Sequence, residues 1–320
     1  MNLQTKIPLK KATNQIDYSS QLLLLGSCFS ENIAAKLEHF KFQSVQNPFG
    51  ILFHPQAIEN LIVRATAQKK YTETEVFFEN ERWHCFDAHS DLSDVSKQEL
   101  LNKLNGGLQQ TYEQLTNATH LVITFGTAWV YHKIETKAIV ANCHKVPQKK
   151  FSKELLSIES IVEHLEKIIK TVQSVNKKVQ FVFTVSPVRH LKDGFIENQR
   201  SKAHLITAVH GVLSPRGQSR GLSYFESYET LMDELRDYRF YKTDMVHPNQ
   251  FAIDYIWEKF KYVWVAESAD TTMNKVEEVQ KGLAHRPFNS DSEEHLKFLK
   301  SLEEKITYLQ QEHGFMKFDY

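Results

Sequence analysis

The chain has 320 residues, 41% of them hydrophobic and 12% aromatic, so it can bury a core larger than a small domain needs. Lysine plus arginine and aspartate plus glutamate number 39 each, so no overall charge favours a nucleic acid or an anionic membrane as partner. The three cysteines lack CxxC spacing, which argues against disulfides. The first stretch is polar, and no apolar run approaches the roughly 18 residues of a transmembrane helix. We therefore predict a cytoplasmic protein.

Residues 21–30 (QLLLLGSCFS) predict a strand, a sharp turn and the start of a helix. Four consecutive leucines are typical of a strand buried on both faces, as in a parallel sheet. Gly26 ends the run, and Ser27 and Cys28 follow where a strand-to-helix turn exposes a nucleophile near helix N–H groups. An ordinary turn that carries a small buried thiol would have the same pattern.

Two later runs, 120–126 (HLVITFG) and 179–186 (VQFVFTVS), also predict buried strands. Helical patterns accompany them at about 152–175, 201–212 and 224–235. Strands that alternate with long helices predict an α/β fold, with three layers and a doubly wound, mostly parallel sheet. Sheets of this kind bind ligands at the carboxyl edge of their strands.

Beyond Ala266 a polar stretch, 268–272, precedes a segment with helical spacing of its apolar residues. Its stripe is shorter than three heptads, which favours a helix docked on its own domain over a coiled coil; it consists of Leu296, Leu299, Leu302, Ile306 and Leu309. We therefore predict an α/β domain over residues 1–266 and a helical C-terminal extension over 267–320 packed on it. Whether these helices cover the site or mediate a homodimer stays open.

The segment Asp244-Met-Val-His247-Pro248 predicts an acid–base pair. A histidine can act as general base toward a hydroxyl or thiol, and an aspartate three residues earlier can hold the imidazole in the required tautomer. Taken alone, the segment would also fit the start of a helix capped by Asp244. Its combination with a nucleophile turn some 220 residues earlier favours catalysis.

The turn Gly26-Ser-Cys-Phe-Ser30 resembles the motif that names the GSCFA family, which is placed among the SGNH/GDSL-type hydrolases. Further segments match the pattern of this family in order across residues 20–265: Asn47–Phe53, Gly126–Tyr131, Ala141–Lys145, Ser186–His190, Glu197–Lys202 and Asp244–Pro248. The resemblance implies an SGNH-hydrolase-like fold and a reaction at an ester, but it implies no substrate.

The same resemblance implies roles for four residues. Gly26-Ser27-Cys28 falls on the Gly-Asp-Ser signature, which places Cys28 at the nucleophile position, while Asp244 and His247 fall on the Asp-x-x-His of those hydrolases. A helix N-terminus and a nearby histidinium can lower a cysteine pKa from about 8.5 toward 7, which favours Cys28. Ser27 remains the rival nucleophile or a hydrogen-bonding neighbour.

The oxyanion site departs from the hydrolase pattern. Gly50 is a candidate for the glycine whose backbone N–H helps to bind the oxyanion. Where those hydrolases have Gly-x-Asn-Asp, however, this chain has Gly-Thr-Ala-Trp over 126–129, so the asparagine donor is missing at Ala128. Thr127, Asn142 or another group would have to replace it, or the chemistry has changed.

Basic side chains follow the third predicted strand, and we expect them to hold an anionic group of the substrate at the carboxyl edge. They are Arg189, His190, Arg200 and Lys202, with Asn198 and Gln199 as further hydrogen-bond donors. A solvated loop and helix face would have the same composition.

Together these features predict an esterase, deacylase or acyltransferase with a Cys/Ser-His-Asp arrangement, acting on an ester of a small molecule or a decorated glycan. The alternative is a catalytically weak or inactive module of the same fold that binds a glycan, a peptide or a small anionic ligand. The adjacent pairs His84-Cys85 and Cys143-His144 lack metal-binding spacing, so we predict no metal and no cofactor.

Overall fold

The computed structural model describes residues 4–213 and 221–318. The strands of this part are β1 (Gln21–Gly26), β2 (Gln43–Gln46), β3 (Phe77–Glu79), β4 (Arg82–His84), β5 (His120–Phe125), β6 (Trp129–Lys133), β7 (Ile139–Val140), β8 (Phe151–Leu155), β9 (Gln180–Val185) and β10 (Leu222–Phe225). A sheet of five parallel strands in the order β10-β9-β5-β1-β2 forms the centre. The predicted α/β fold with a mostly parallel sheet is confirmed.

Helices cover both faces of this sheet. They are α1 (Cys28–His39), α2 (Pro55–Thr66), α3 (Lys97–Asn117), α4 (Ile158–Val175), α5 (Phe195–Leu213), α6 (Ser227–Glu229), α7 (Gln250–Trp264), α8 (Asp270–Ala284) and α9 (Glu293–Glu312). Residues of α2 to α5 share one apolar cluster with the sheet, and residues of α1, α7, α8 and α9 share another. The sheet is therefore the middle of three layers.

The leucine run of β1 explains why both faces need a cover. Leu23 and Leu25 lie in the cluster under α2 to α5, and Leu22 and Leu24 lie in the cluster under α1 and α7. Successive side chains of a strand point to opposite faces, so a strand that is apolar at every position requires helices on both sides. The register pairs Gly26 with Thr124 of β5, which brings the carboxyl ends of these strands to one edge.

Two predicted helices differ from the structure. Residues 151–155 form β8, which pairs with β6, and helix α4 begins only after Ser157, whose hydroxyl accepts the N–H of Ser160 at 3.1 Å. The helix predicted over 224–235 is wrong in its first part, because Leu222–Phe225 pairs with β9 as an edge strand. In such short segments the spacing of the apolar residues fits both a helix and a strand. Pairing with a neighbouring strand then decides which of the two forms.

The C-terminal helices pack on the same face as α1 and α7. Val276 and Val279 of α8 lie in the apolar cluster that contains Phe29 of α1, together with the inner half of the predicted stripe, Leu302, Ile306 and Leu309. The outer half of that stripe, Leu296 and Leu299, is exposed. The division of the chain at residue 266 stays a prediction.

Candidate functional site

The turn after β1 places Ser27 and Cys28 at the carboxyl edge of the sheet. Gly26 has a φ of +131°, and a Cβ built on it would lie 2.1 Å from the carbonyl oxygen of Thr124, so no other residue fits there. Its N–H donates to Asn47 Oδ1 at 2.9 Å. Ser27 occupies the N-cap of α1 and Cys28 its first turn, where backbone N–H groups lack intrahelical acceptors.

The two candidate nucleophiles have different surroundings. Ser27 is fully buried, and its hydroxyl has no hydrogen-bond partner within residues 4–213 and 221–318. Cys28 is half-buried and packs against the apolar cluster of α1 and α7. Burial and then the carboxylate of Glu31 raise the pKa of the Cys28 thiol, and the charges of Lys202 and Lys242 only partly oppose them. The expected lowering of this pKa is therefore wrong.

Asp244 and His247 form the predicted pair on a tight turn. His247 Nδ1 lies 2.7 Å from Asp244 Oδ2, while Asp244 Oδ1 accepts the backbone N–H groups of Val246 at 2.9 Å and His247 at 3.0 Å. These backbone donors, followed by the imidazole, hold the pKa of Asp244 well below its usual range. Both side chains are more than two-fifths exposed, so the imidazole is accessible from solvent.

Arg189 attaches this turn to the loop after β9. Its backbone N–H donates to Val246 O at 3.3 Å, and its guanidinium donates to Met245 O. The guanidinium also lies over the ring of Tyr241, 4.6 Å from the centroid. Arg189 thus supports the backbone of the turn that carries the aspartate and the histidine.

His190 lies beside the turn of Ser27. A Cβ built on Gly126 would be 3.1 Å from His190 Nε2 and 3.2 Å from Ser27 Cβ, so the two side chains flank this glycine. The imidazole and the ring of Phe53 are nearly perpendicular, with their centroids 5.4 Å apart. Burial, followed by the charges of Lys202 and His247, lowers the pKa of His190 to about 3. The imidazole is therefore uncharged near pH 7 and does not attract an anion by its charge.

Lys202 is buried beneath the carboxyl edge. Its Nζ donates to Gly126 O and to Ser186 O at 2.7 Å each, which joins the loop after β5 to the loop after β9. Burial lowers its pKa to about 7. The sequence predicted this lysine in a cationic cluster at the carboxyl edge, whereas it lies on the buried side of α5. The helical spacing of that side is the signal that could have located it; the side consists of Asn198, Ser201, Lys202, Leu205, Ala208 and Val209.

The predicted cationic cluster is not assembled as one anion site. Arg200 is exposed on the outer side of α5, whereas Asn198 is buried and accepts the backbone N–H of His190 on Oδ1 at 2.9 Å. Gln199 Oε1 accepts the hydroxyl of Tyr228 at 2.9 Å. Of these side chains, Asn198 is the one that supports the site.

The residues proposed to replace the missing oxyanion donor are engaged elsewhere. The hydroxyl of Thr127 lies 3.0 Å from that of Ser201 and accepts the N–H of Trp129 at 3.0 Å, while Asn142 Oδ1 accepts the N–H of His144 at 2.8 Å. Gly50 donates its N–H to Asn47 O at 2.7 Å. Ala128 is fully buried. The donor roles of Gly50, Thr127 and Asn142 therefore stay predictions, and that of Gly50 would require its N–H to release Asn47 O.

The histidines of the two cysteine–histidine pairs are held by protein atoms. His84 contacts Ser93 Oγ at 2.6 Å and Glu79 O at 3.0 Å through its two ring nitrogens. His144 contacts Ser90 Oγ at 3.2 Å and Cys85 O at 2.7 Å in the same way. These bonds explain the histidines as structural groups. No helix in residues 4–213 and 221–318 has the length and apolarity to cross a membrane.

The loop after β9 contacts both turns. His190 and Ser27 flank Gly126, and the backbone N–H of the neighbouring Arg189 donates to Val246 O at 3.3 Å. A half-buried thiol or a buried hydroxyl, together with an oriented imidazole and a helix N-terminus, can perform acyl transfer.

Comparison with known proteins identifies two family models in the chain. The GSCFA family matches residues 21–260, and the C-terminal domain of GSCFA domain proteins matches residues 276–319. A search of curated proteins finds no match. Among solved structures, a carbohydrate esterase of family 3 from Talaromyces cellulolyticus is similar at 7% identity and a TM-score of 0.36, covering 81% of this chain and 99% of the esterase.

Proposed function

Since the chain belongs to the GSCFA family, we propose that it cleaves esters by acyl transfer through Cys28, His247 and Asp244. The observation that carries the proposal is the 2.7 Å contact between His247 Nδ1 and Asp244, because it leaves Nε2 free to take a proton. The position of Cys28 in the first turn of α1, directly after a strand of the parallel sheet, supports it as the acceptor.

In the proposed reaction, His247 Nε2 takes the thiol proton while Cys28 Sγ attacks the acyl carbon. Backbone N–H groups in the first turn of α1 stabilise the oxyanion. The imidazolium then protonates the alcohol oxygen as the C–O bond breaks, which leaves a thioester on Cys28. Water, deprotonated by the same imidazole, attacks the thioester and releases the acid, or a second hydroxyl does so and receives the acyl group.

The raised pKa of the thiol determines when its proton is transferred. Because burial disfavours the thiolate of Cys28, little of it forms before the substrate binds. Proton transfer to His247 therefore accompanies attack on the acyl carbon, as with a serine nucleophile. This requirement makes His247 as important as the nucleophile.

A panel of short-chain aryl esters and acetylated sugars tests the proposal. Cys28→Ala and His247→Ala should reduce hydrolysis to the background rate, whereas Ser27→Ala should only weaken it. A thioester on Cys28, detected by intact mass and removed by hydroxylamine, would identify the nucleophile. The opposite pattern, with Ser27→Ala inactive and Cys28→Ala active, would assign attack to the serine.

A binding module of the same fold is the second candidate. The raised pKa of Cys28, the alanine at position 128 and the engaged N–H of Gly50 all favour it. This role would be established if the wild type hydrolysed every ester no faster than Cys28→Ala and bound a glycan or peptide saturably. A glycan ester as substrate and a homodimer stay predictions.

A further inference from the structure

Two buried polar atoms without hydrogen-bond partners lie beside the proposed nucleophile. Among the described residues, the hydroxyl of Ser27 and Nε2 of His190 are both shielded from solvent and unpartnered. Buried polar atoms in folded proteins nearly always have a partner, so two exceptions at one place require a reason. Ser27 is fully buried, and it directly precedes Cys28.

The side chains that carry the two atoms meet at a glycine. The position that a Cβ of Gly126 would occupy lies 3.1 Å from His190 Nε2, 3.2 Å from Ser27 Cβ and 3.1 Å from Phe53 Cδ1. A side chain at Gly126 would therefore crowd both the imidazole and the serine. The ring of Phe53 contacts the same position, so the surroundings of the two unpartnered atoms are partly apolar.

The chemistry of both groups suits an oxygen that becomes negative during a reaction. The neutral imidazole of His190 has one N–H to donate, and the Ser27 hydroxyl has one O–H. Preorganised donors in a water-poor site stabilise developing negative charge far more than they do in water. Asn198 fixes the histidine by accepting its backbone N–H at 2.9 Å.

We propose that His190 Nε2–H and the Ser27 hydroxyl are the side-chain donors for the oxyanion formed when Cys28 attacks an ester. This role rests on the proposed function. They supply what the SGNH-type asparagine would have supplied at Ala128. His190 and Ser27 are then catalytic residues, and Asn198 is a positioning residue. Gly126 is required because a side chain there would displace the imidazole of His190 and the side chain of Ser27.

The test compares two amides at position 190. His190→Gln places an N–H near the position of Nε2, and His190→Asn places it near that of Nδ1. We expect the glutamine variant to stay within about tenfold of wild-type kcat on an aryl ester and the asparagine variant to lose about 10²–10³-fold. His120→Gln is the control, since it replaces a buried histidine at the amino end of β5; it should keep the kcat of the folded protein.

Binding of an aryl trifluoromethyl ketone provides a second measurement. Addition of Cys28 Sγ to this ketone forms a hemithioketal whose oxygen needs the same donors, and fluorine NMR reports its affinity. His190→Asn and Ser27→Ala should each bind at least about tenfold more weakly. Equal affinity of wild type, His190→Asn and Ser27→Ala would refute this inference alone, whereas a wild type that neither hydrolyses esters nor binds the ketone would refute the proposed function with it.

Discussion

Lys202→Met tests whether a buried amine controls the pH dependence of stability. Burial lowers the pKa of Lys202 from 10.5 to about 7 in the folded chain, and an unfolded lysine titrates near about 10.4. Between these pH values the unfolded state binds more protons than the folded state, so the folded state gains stability as the pH rises. This contribution is complete above the unfolded pKa and is lost as the pH falls toward 7.

The size of the effect follows from the two pKa values. Within this window each pH unit changes the free energy of unfolding by about 1.4 kcal/mol. The wild type should therefore gain about 2–3 kcal/mol over Lys202→Met between about pH 7.5 and 9.5. The methionine variant also leaves Gly126 O and Ser186 O without their donor, at a cost of about 1–3 kcal/mol for each buried carbonyl.

Urea unfolding followed by tryptophan fluorescence at three pH values measures this difference. Groups that titrate in both proteins cancel when the two free energies are subtracted. Lys170→Met, which removes an exposed lysine of α4, is the control for the loss of a lysine. If the difference in the free energy of unfolding between wild type and Lys202→Met stayed constant from pH 7.5 to 9.5, Lys202 would not be the source of the pH dependence.

Three further substitutions give separate tests. Gly126→Ala should lower kcat by at least about tenfold, because its Cβ would lie 3.1 Å from His190 Nε2 and would displace the imidazole; an unchanged kcat would contradict a role of His190 in catalysis. Asp244→Asn should lower kcat by about 10²–10⁴, since the imidazole of His247 loses its orienting carboxylate; ester kinetics that match the wild type would exclude the pair from catalysis. Leu302→Ala should destabilise the protein by about 2–5 kcal/mol, because this side chain is buried between α9 and α8; a loss below about 1 kcal/mol in urea would contradict this packing.

Sequence reasoning succeeded where the signal was local. The leucine run, Gly26 and the following helix are determined by neighbouring residues, and Asp244 and His247 meet across one turn three residues apart. The prediction failed where a short segment fitted both a helix and a strand, as at Leu222–Phe225. Its pairing partner β9 lies some 40 residues earlier, so the local sequence does not show that the two strands pair.

The charge and role of the basic residues were decided by packing. Arg189 supports the turn before His247, and burial keeps His190 neutral, although both lie in a segment with a cationic composition. Composition cannot indicate whether a histidine is desolvated, because its pKa depends on groups from several parts of the chain.

The sequence by itself determined the α/β class, the position of the Ser27–Cys28 turn and the Asp244–His247 pair, since each depends on periodicity or on spacing within a few residues. Only the tertiary structure decided that the Cys28 thiol has a raised pKa and that His190 and Ser27 flank Gly126. The physical reason is that burial and unpartnered donors arise where distant segments meet at the carboxyl edge of the sheet.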